Sequence, residues 1–287
     1  MSFDIYFSDI RVRFLPPVGS LDLPQELECL LCEEPGPVDA QYELRLLETP
    51  LVPCTAPVLS YNGITLYHIP EGQLRIYSLR GSEDGCQVAC LLCPDGNHIL
   101  YYPAALWDDY AHPLHCVHLL GLETVLLKRN AFLLHSSVVL LRGKVVLFCG
   151  PSGAGKSTQA DLWRRHLGAD ILNGDRCVVM QKGTHFYGGG GPLAGHSGIY
   201  RPEQAPIAAI FLTEQAPDNQ VTRMGLSALA PLLGQTLINS WDEHFMHRLS
   251  DLYQRLLAQV PVYRLRCRAD EEAVQLACQI AFPEGGV

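Results

Sequence analysis

The chain has 287 residues, 48% of them hydrophobic and 18% charged, and 30 acidic residues against 21 basic ones give a formal net charge of −9. That length is enough for two domains with cores of their own, and an acidic chain without a run of Lys and Arg is a poor partner for nucleic acid, whose phosphates need clustered cations. The longest apolar stretches, LLHSSVVLL and KVVLFCG, fall far short of the ~20 residues of a membrane-crossing helix, and the start MSFDIYFSDIRVRF has neither the basic head nor the apolar core of a secretion signal, so a cytoplasmic protein without a membrane partner is expected.

Residues 1–124 read as a β-rich domain. The N-terminal run reads as strand, and QYELRLLE, ITLYHI, QLRIYSL, CQVACLLC and HILYY follow, each short, alternating or rich in β-branched and aromatic residues, and bounded by Pro, Gly, Asn and Asp. Proline is dense between residues 16 and 57, which predicts irregular first loops. The 11 cysteines are odd in number and scattered, unlike a disulfide framework, and read as reduced residues. Cys29/Cys32 and Cys90/Cys93 have the spacing of zinc ligands, but the Leu-Leu between each pair fits a strand or helix with a core face better than a zinc turn. From Pro113 to about Lys128 the apolar spacing becomes helical. His112, His115 and His118 fall in this stretch with no carboxylate at a matching offset, so packing or surface roles compete with a metal site.

Residues 125–287 alternate strand and helix, which predicts an α/β domain with helices covering a sheet. Strands are expected at Phe132–Leu141, Lys144–Cys149, Ala169–Leu172, Cys177–Met180, Ala208–Thr213 and Val260–Cys267. Helices are expected at Lys156–Leu167, Ser227–Ile238, Asp242–Gln259 and Asp270–Ala281. Gly168 should end the first helix, Ser240 with Glu243 should form a capping box at the third, and Asp270 should cap the last.

The segment KVVLFCGPSGAGKSTQADLWRRHLG carries chemistry. Gly150, Gly155, Lys156 and Ser157 satisfy G-x-x-x-x-G-K-[ST], the phosphate-binding P-loop, a match that chance would give in about 1% of chains this long at average glycine use. The loop follows an apolar strand and opens an amphipathic helix, the setting that the motif requires. Across Gly150, Ser152, Gly153, Ala154 and Gly155, backbone N–H groups can converge on phosphate oxygens, aided by the positive end of the helix dipole. Lys156 would reach the β and γ phosphates, Ser157 would take one Mg²⁺ position, and Thr158 is a candidate for an α-phosphate contact.

A metal-bound nucleotide also needs an acid near the end of a neighbouring strand. Asp175, after Ile171 and Leu172, is the candidate for Mg²⁺ ligand or catalytic base, although Asn-Gly-Asp is also good turn chemistry. Asp170 begins the same strand and should face away. If LLHSSVVLL and KVVLFCG pair across a two-residue turn at Arg142-Gly143, antiparallel counting puts His135 opposite Gly150, where it could orient a phosphate or assist proton transfer. The glycine-rich run YGGGGPLAGHSGIYRPE reads as a binding or surface loop, with His196, Ser197, Tyr200, Arg201 and Glu203 as its polar groups.

With these residues in place, the second half resembles the catalytic domain of the HPr kinase/phosphorylase family and its serine kinase-like and peptide-tailoring relatives. The resemblance covers about residues 125–282. It rests on the His135 to Gly150 interval, on Gly150, Ser152, Gly153, Gly155, Lys156 and Ser157, and on Asp175 at the second of two paired aspartates, with Gly174 at the first. It implies a P-loop domain of the HPr kinase/PEP carboxykinase type behind a smaller β-rich α+β domain. It also implies an ATP- and Mg²⁺-dependent transfer to a hydroxyl, most plausibly Ser, of a peptide, protein or small molecule. Lys156, Asp175 and His135 would be the catalytic groups, and the hexamers of the relatives make a homo-oligomer an expectation. Two other readings stay open: a nucleotide-responsive binding module in which Gly174 marks decay of the acid pair, and an ATPase or phosphorylase.

Overall fold

The computed structural model describes residues 2–17, 28–61, 63–78, 87–104 and 119–283. It is a mixed α/β structure with two eight-stranded sheets, in two compact units, Met1–Val125 and Leu126–Val287. Among the described residues, no helix is long and apolar enough to cross a membrane.

In the first unit the strands are β1 Phe3–Phe7, β2 Ile10–Leu15, β3 Ala40–Leu47, β4 Leu59–Tyr61, β5 Ile64–Ile69, β6 Gly72–Ser78, β7 Gln87–Leu92 and β8 Asn97–Pro103. They form one sheet in the order β1-β2-β3-β8-β7-β6-β5-β4, with β2–β3 and β3–β8 parallel. Strict alternation in β2, where Ile10, Val12 and Phe14 are buried, shows one face turned to a core. The N-terminal run is a hairpin rather than a single strand, because Ser8 and Asp9 take positive φ and the Asp9 carboxylate accepts the Tyr6 hydroxyl at 2.6 Å. Cys90 lies buried within β7. A buried ion pair, Arg75 to Glu123 at 2.6 Å, is 5% and 4% exposed and anchors the first turn of α1, Leu122–Lys128. The upstream part of the helix expected from Pro113, with His112, His115 and His118, lies outside the described residues.

The second unit contains β9 Ala131–Leu141, β10 Lys144–Cys149, α2 Lys156–Leu167, β11 Asp170–Asn173, β12 Arg176–Lys182, β13 His185–Gly189, β14 Gln204–Gln215, β15 Gln220–Met224, α3 Leu229–Leu233, α4 Glu243–Gln259, β16 Val262–Cys267 and α5 Glu271–Ala281. Side-chain alternation along β10 divides the packing. Val146 and Phe148 face a core shared with Ala160 and Trp163 of α2 and with Ala273, Val274 and Ala277 of α5. Val145, Leu147 and Cys149 face the opposite core, filled from α4 by Phe245, Leu249, Leu252, Tyr253 and Leu256. Trp163 is fully buried and meets Phe148 edge-on at 5.5 Å, so α2 is locked to the strand that feeds the loop before it.

The long strand β9 changes partners midway. Ala131 to His135 pair with β12, whereas Ser136 to Leu141 pair with β10 and Val138 to Leu140 also face β11. The strand β14 behaves alike, with Gln204 to Pro206 on β13 and Ile207 to Leu212 on β10.

Several elements depart from the sequence expectation for physical reasons. The strand β13 ends in glycines that carry no β-propensity, yet its Gly188 packs where a Cβ would lie 3.0 Å from Val145. The edge strand β15 buries only Met224, so it shows no apolar pattern. The helix expected at Ser227–Ile238 is reduced to α3 after a short 3-10 turn, because the following Gln235 and Thr236 bond to β9 through the His135 amide and a bridge to Leu134. At α4 the cap is Asp242, whose carboxylate accepts the Phe245 amide at 2.9 Å. Ser240 lies too far upstream of the first turn to reach it. Asp270 caps α5 as expected, accepting from Ala273. Asp242→Ala should therefore cost about 1 kcal/mol in urea unfolding, and Ser240→Ala should change stability by less than about 0.5 kcal/mol.

Candidate functional site

The loop between β10 and α2 is shaped by its glycines and by tethers from neighbouring strands. Gly153 and Gly155 have φ of 79° and 97°, in the left-handed region that side chains with a Cβ rarely adopt. Gln215 at the end of β14 donates to the Gly153 carbonyl at 2.7 Å, and Thr213 donates to the Cys149 carbonyl at 3.0 Å. Gly155 is the N-cap of α2 and supplies no side-chain acceptor to its first turn, which leaves those N–H groups to an anion. Lys156 is only 7% exposed, and its ammonium donates to the Gly150 and Pro151 carbonyls at 2.9 and 3.1 Å. Burial lowers its pKa, and the nearby Asp175 carboxylate opposes that shift.

His135 sits at the branch of β9. Its neighbour Ser136 pairs with Cys149, the residue before Gly150, while His135 itself pairs with Arg176 of β12. This register is the one counted from the hairpin, and it brings the imidazole Nε2 within 3.3 Å of Asp175 Oδ1. The His135 hydrogen bond is the largest influence lowering the Asp175 pKa, burial opposes it, and Arg176 and Lys156 add to the lowering. Arg176 Nε lies 3.4 Å from the second carboxylate oxygen.

The turn bearing Asp175 is held from inside. Asn173 is fully buried; its carbonyl oxygen accepts the amides of Asp175 and Arg176, both at 2.8 Å, and its amide donates to the Gly191 carbonyl at 3.2 Å. Ser137 donates to the Gly174 carbonyl at 3.0 Å, and the Ser136 amide donates to the Asp175 carbonyl at 2.9 Å. Sequence reasoning passed over Asn173, Ser137 and Gln215 as site-builders. Asn-Gly-Asp did signal a tight turn, but nothing local marks the serines or Gln215, whose partners are distant in sequence.

A cavity of about 770 Å³ collects Ser152, Gly153, Gly155, Lys156, Ser157 and Thr158 from the loop with His135, Asp175 and Ser197. Of the described residues of the glycine-rich segment, Ala194, Ser197 and Ile199 line it. Tyr200 is buried, and its backbone bridges to Asn173; Arg201 and Glu203 are exposed, and the His196 side chain lies outside the described atoms. Asp170 is exposed at the far end of β11. A Cβ placed on Gly174 would lie 2.4 Å from the Cβ of Ser197, so the 3-10 turn Gly195–Ser197 occupies the volume that a side chain at 174 would need. Ser197 is fixed there by donating to the Ala194 carbonyl at 2.6 Å.

Chemically, the cavity offers backbone N–H groups, one buried ammonium, two hydroxyls in the first helical turn and a carboxylate bonded to an imidazole, with the Asp161–Arg164 ion pair of α2 also on its wall. Ser157 and Asp175 are hard oxygen donors of the kind Mg²⁺ takes beside phosphate oxygens. Among the described residues, no group of three or more His, Cys, Asp and Glu forms a self-sufficient metal cage.

Gly174→Ala should destabilise the unit by about 1–3 kcal/mol through overpacking, and adding Ser197→Gly should recover most of the loss; thermal melting of the single and double variants checks this. Carboxyl NMR should show Asp175 titrating below the usual carboxylate range, so that it stays ionised further into acid. His135→Ala should move that titration upward.

No family model and no curated protein matches the chain. Among solved structures, the Hpr(Ser) kinase/phosphatase from Coxiella burnetii aligns with 52% of this chain and 92% of its own length, at 11% identity and a TM-score of 0.28.

Proposed function

We propose that the unit Leu126–Val287 is a P-loop phosphotransferase domain of the HPr kinase/PEP carboxykinase type, which takes ATP with Mg²⁺ and passes the γ-phosphoryl group to a hydroxyl of a peptide, protein or small molecule, Ser being the preferred acceptor. The observation that carries this reading is that the Lys156 loop and the His135–Asp175 pair line one cavity. Residues 1–124 would be a separate β-rich domain, and a cytoplasmic homo-oligomer remains part of the proposal.

In this scheme the loop N–H groups and Lys156 hold the β and γ phosphates and stabilise charge on the transferring group, which is where most of the rate enhancement in such transfers arises. Lys156 would exchange its loop carbonyl partners for phosphate oxygens. Asp175, kept ionised by His135, accepts the proton of the attacking hydroxyl. The new O–P bond forms as the bond to the β-phosphate oxygen breaks, and ADP leaves. Ser157 and Asp175 would hold Mg²⁺, whose charge would offset that of the phosphates.

A second reading, a nucleotide-responsive binding module with little turnover, draws on Ser197 filling the space beside Asp175, which leaves a single carboxylate at the turn. Transfer of labelled γ-phosphate from ATP to a panel of Ser-containing peptides and small hydroxyl compounds separates the two. Asp175→Asn should lower transfer by about 10²–10⁴-fold while ADP still binds, and Lys156→Ala should weaken nucleotide binding itself. Nucleotide binding without transfer to any acceptor would support the module; an Asp175→Asn variant of undiminished transfer would remove Asp175 from the mechanism.

A further inference from the structure

The cavity that holds the phosphate loop also holds a hydroxyl from outside that loop. Four of its described lining residues carry one: Ser152, Ser157, Thr158 and Ser197. The first three belong to the loop and the first turn of α2, where they would cradle the phosphates of the proposed nucleotide. Ser197 comes instead from the 3-10 turn Gly195–Ser197, which lies against the Asp175 turn. Two clearances show how closely. A Cβ placed on Gly195 would stand 2.8 Å from the Asp175 carboxyl carbon and 3.2 Å from its Oδ1, and a Cβ placed on Gly174 would stand 2.5 Å from the Ser197 hydroxyl oxygen. Glycine at both positions lets the two turns meet, and their meeting sets a seryl hydroxyl beside the candidate base.

Ser197 is exposed, whereas the serines next to His135 are committed to structure: Ser136 and Ser137 are fully buried and donate to the Leu134 and Gly174 carbonyls at 3.2 and 3.0 Å. The Ser197 hydroxyl donates to the Ala194 carbonyl at 2.6 Å and accepts the Ile199 amide at 3.3 Å. One such bond contributes only about 0.5–1.5 kcal/mol, so rotation about the Cα–Cβ bond can turn the hydroxyl from Ala194 into the cavity at small cost. The Ala194 carbonyl also accepts the Ser197 amide, at 3.2 Å, and that bond holds the turn through the rotation. A hydroxyl built into the site needs no capture from solution, and reactants held together in this way gain a large effective concentration.

We propose that Ser197 is a phosphoryl acceptor within its own chain, so that the protein phosphorylates itself at this turn. The proposal rests on the P-loop transfer reading and adds to it an acceptor that the chain itself carries. In the step, Ser197 Oγ forms a bond to the γ phosphorus while the bond from that phosphorus to the β–γ bridging oxygen breaks. ADP leaves with the electron pair, and the hydroxyl proton passes to the Asp175 carboxylate. The product is a phosphoserine next to Asp175.

Incubation of the full-length protein with Mg²⁺ and ATP labelled at the γ position, followed by mass-spectrometric mapping, tests this. The label should appear on Ser197 and approach one phosphate per chain, at a rate per chain that does not change with protein concentration. Ser197→Thr should carry it as phosphothreonine, Ser197→Ala should lose it from this turn, and Asp175→Asn should slow its arrival by about 10²–10⁴-fold. Wild-type mapping with Lys156→Ala as the inactive control decides the matter even if the turn variants do not fold. Label confined to other residues, label on Ser197 that persists in Lys156→Ala, or a rate that rises with protein concentration would overturn the inference. An unlabelled Ser197 in protein that phosphorylates added peptides or small hydroxyl compounds would remove it while the proposed function stood. Absence of transfer to any hydroxyl, added or resident, would remove both.

Discussion

The geometry of the site depends on the backbone ladder of β9. Because this strand leaves β12 and joins β10 between His135 and Ser136, the imidazole stands at the fork, with the start of the loop on one side and the Asp175 turn on the other. Each ladder bond adds only about 0.5–1.5 kcal/mol, yet the set fixes register. A slip of one residue would turn His135 to the opposite face and move Leu134 and Ser136 out of their places. The flanking polar residues reinforce the same register: Ser137 holds Gly174, the Ser136 amide holds Asp175, and Asn173 closes the turn from beneath.

The loop is positioned from its far end. Trp163 is sealed between the sheet and α5, and truncating a buried Trp typically costs about 3–5 kcal/mol, so α2 cannot shift easily relative to β10. Its first turn can then remain without a side-chain cap, a local sacrifice of stability that keeps N–H groups for an anion. The chain as a whole has a net charge of −9, which would oppose the approach of the nucleotide proposed above. On that proposal attraction is local, from Lys156 and the helix N-terminus, and burial that lowers the Lys156 pKa also concentrates its field in a less aqueous setting.

Local signals in the sequence carried much of this. The strands β9 and β10 alternate strongly, the turn at Arg142-Gly143 sets their register by counting, and α2 is bounded by the loop glycine and Gly168. Where burial comes from distant partners, the local pattern was silent. The strand β13 is half glycine at its end because Val145 and Cys177 crowd Gly188, and β15 is an exposed edge. Ser240 and Asp242 are both good capping residues, and only the starting point of α4 decides between them. The polar residues of the glycine-rich segment look alike in sequence, but one side of its backbone is drawn onto Asn173, which buries Tyr200 and leaves Ser197 at the cavity.

The contact between Gly174 and Ser197 constrains the chemistry further. A carboxylate at 174 would have to displace a serine that is bonded in place within its own 3-10 turn, so the glycine and the seated loop belong together. What results is one carboxylate at the turn, bonded to one imidazole and facing Lys156 of the loop across the cavity, while the other carboxylate on the cavity wall, Asp161, is paired with Arg164. Two carboxylates side by side share protons and raise one pKa; a single carboxylate beside His135, Arg176 and Lys156 has its pKa lowered. Such an acid is a weak base but stays fully ionised, which suits holding a cation and receiving a proton late in a dissociative transfer, where the attacking oxygen becomes acidic only as the bond to phosphorus forms. On the proposed function, the seated loop thus tunes the reaction by leaving out a second acid, and Ser197 is where acceptor shape and catalytic electrostatics meet.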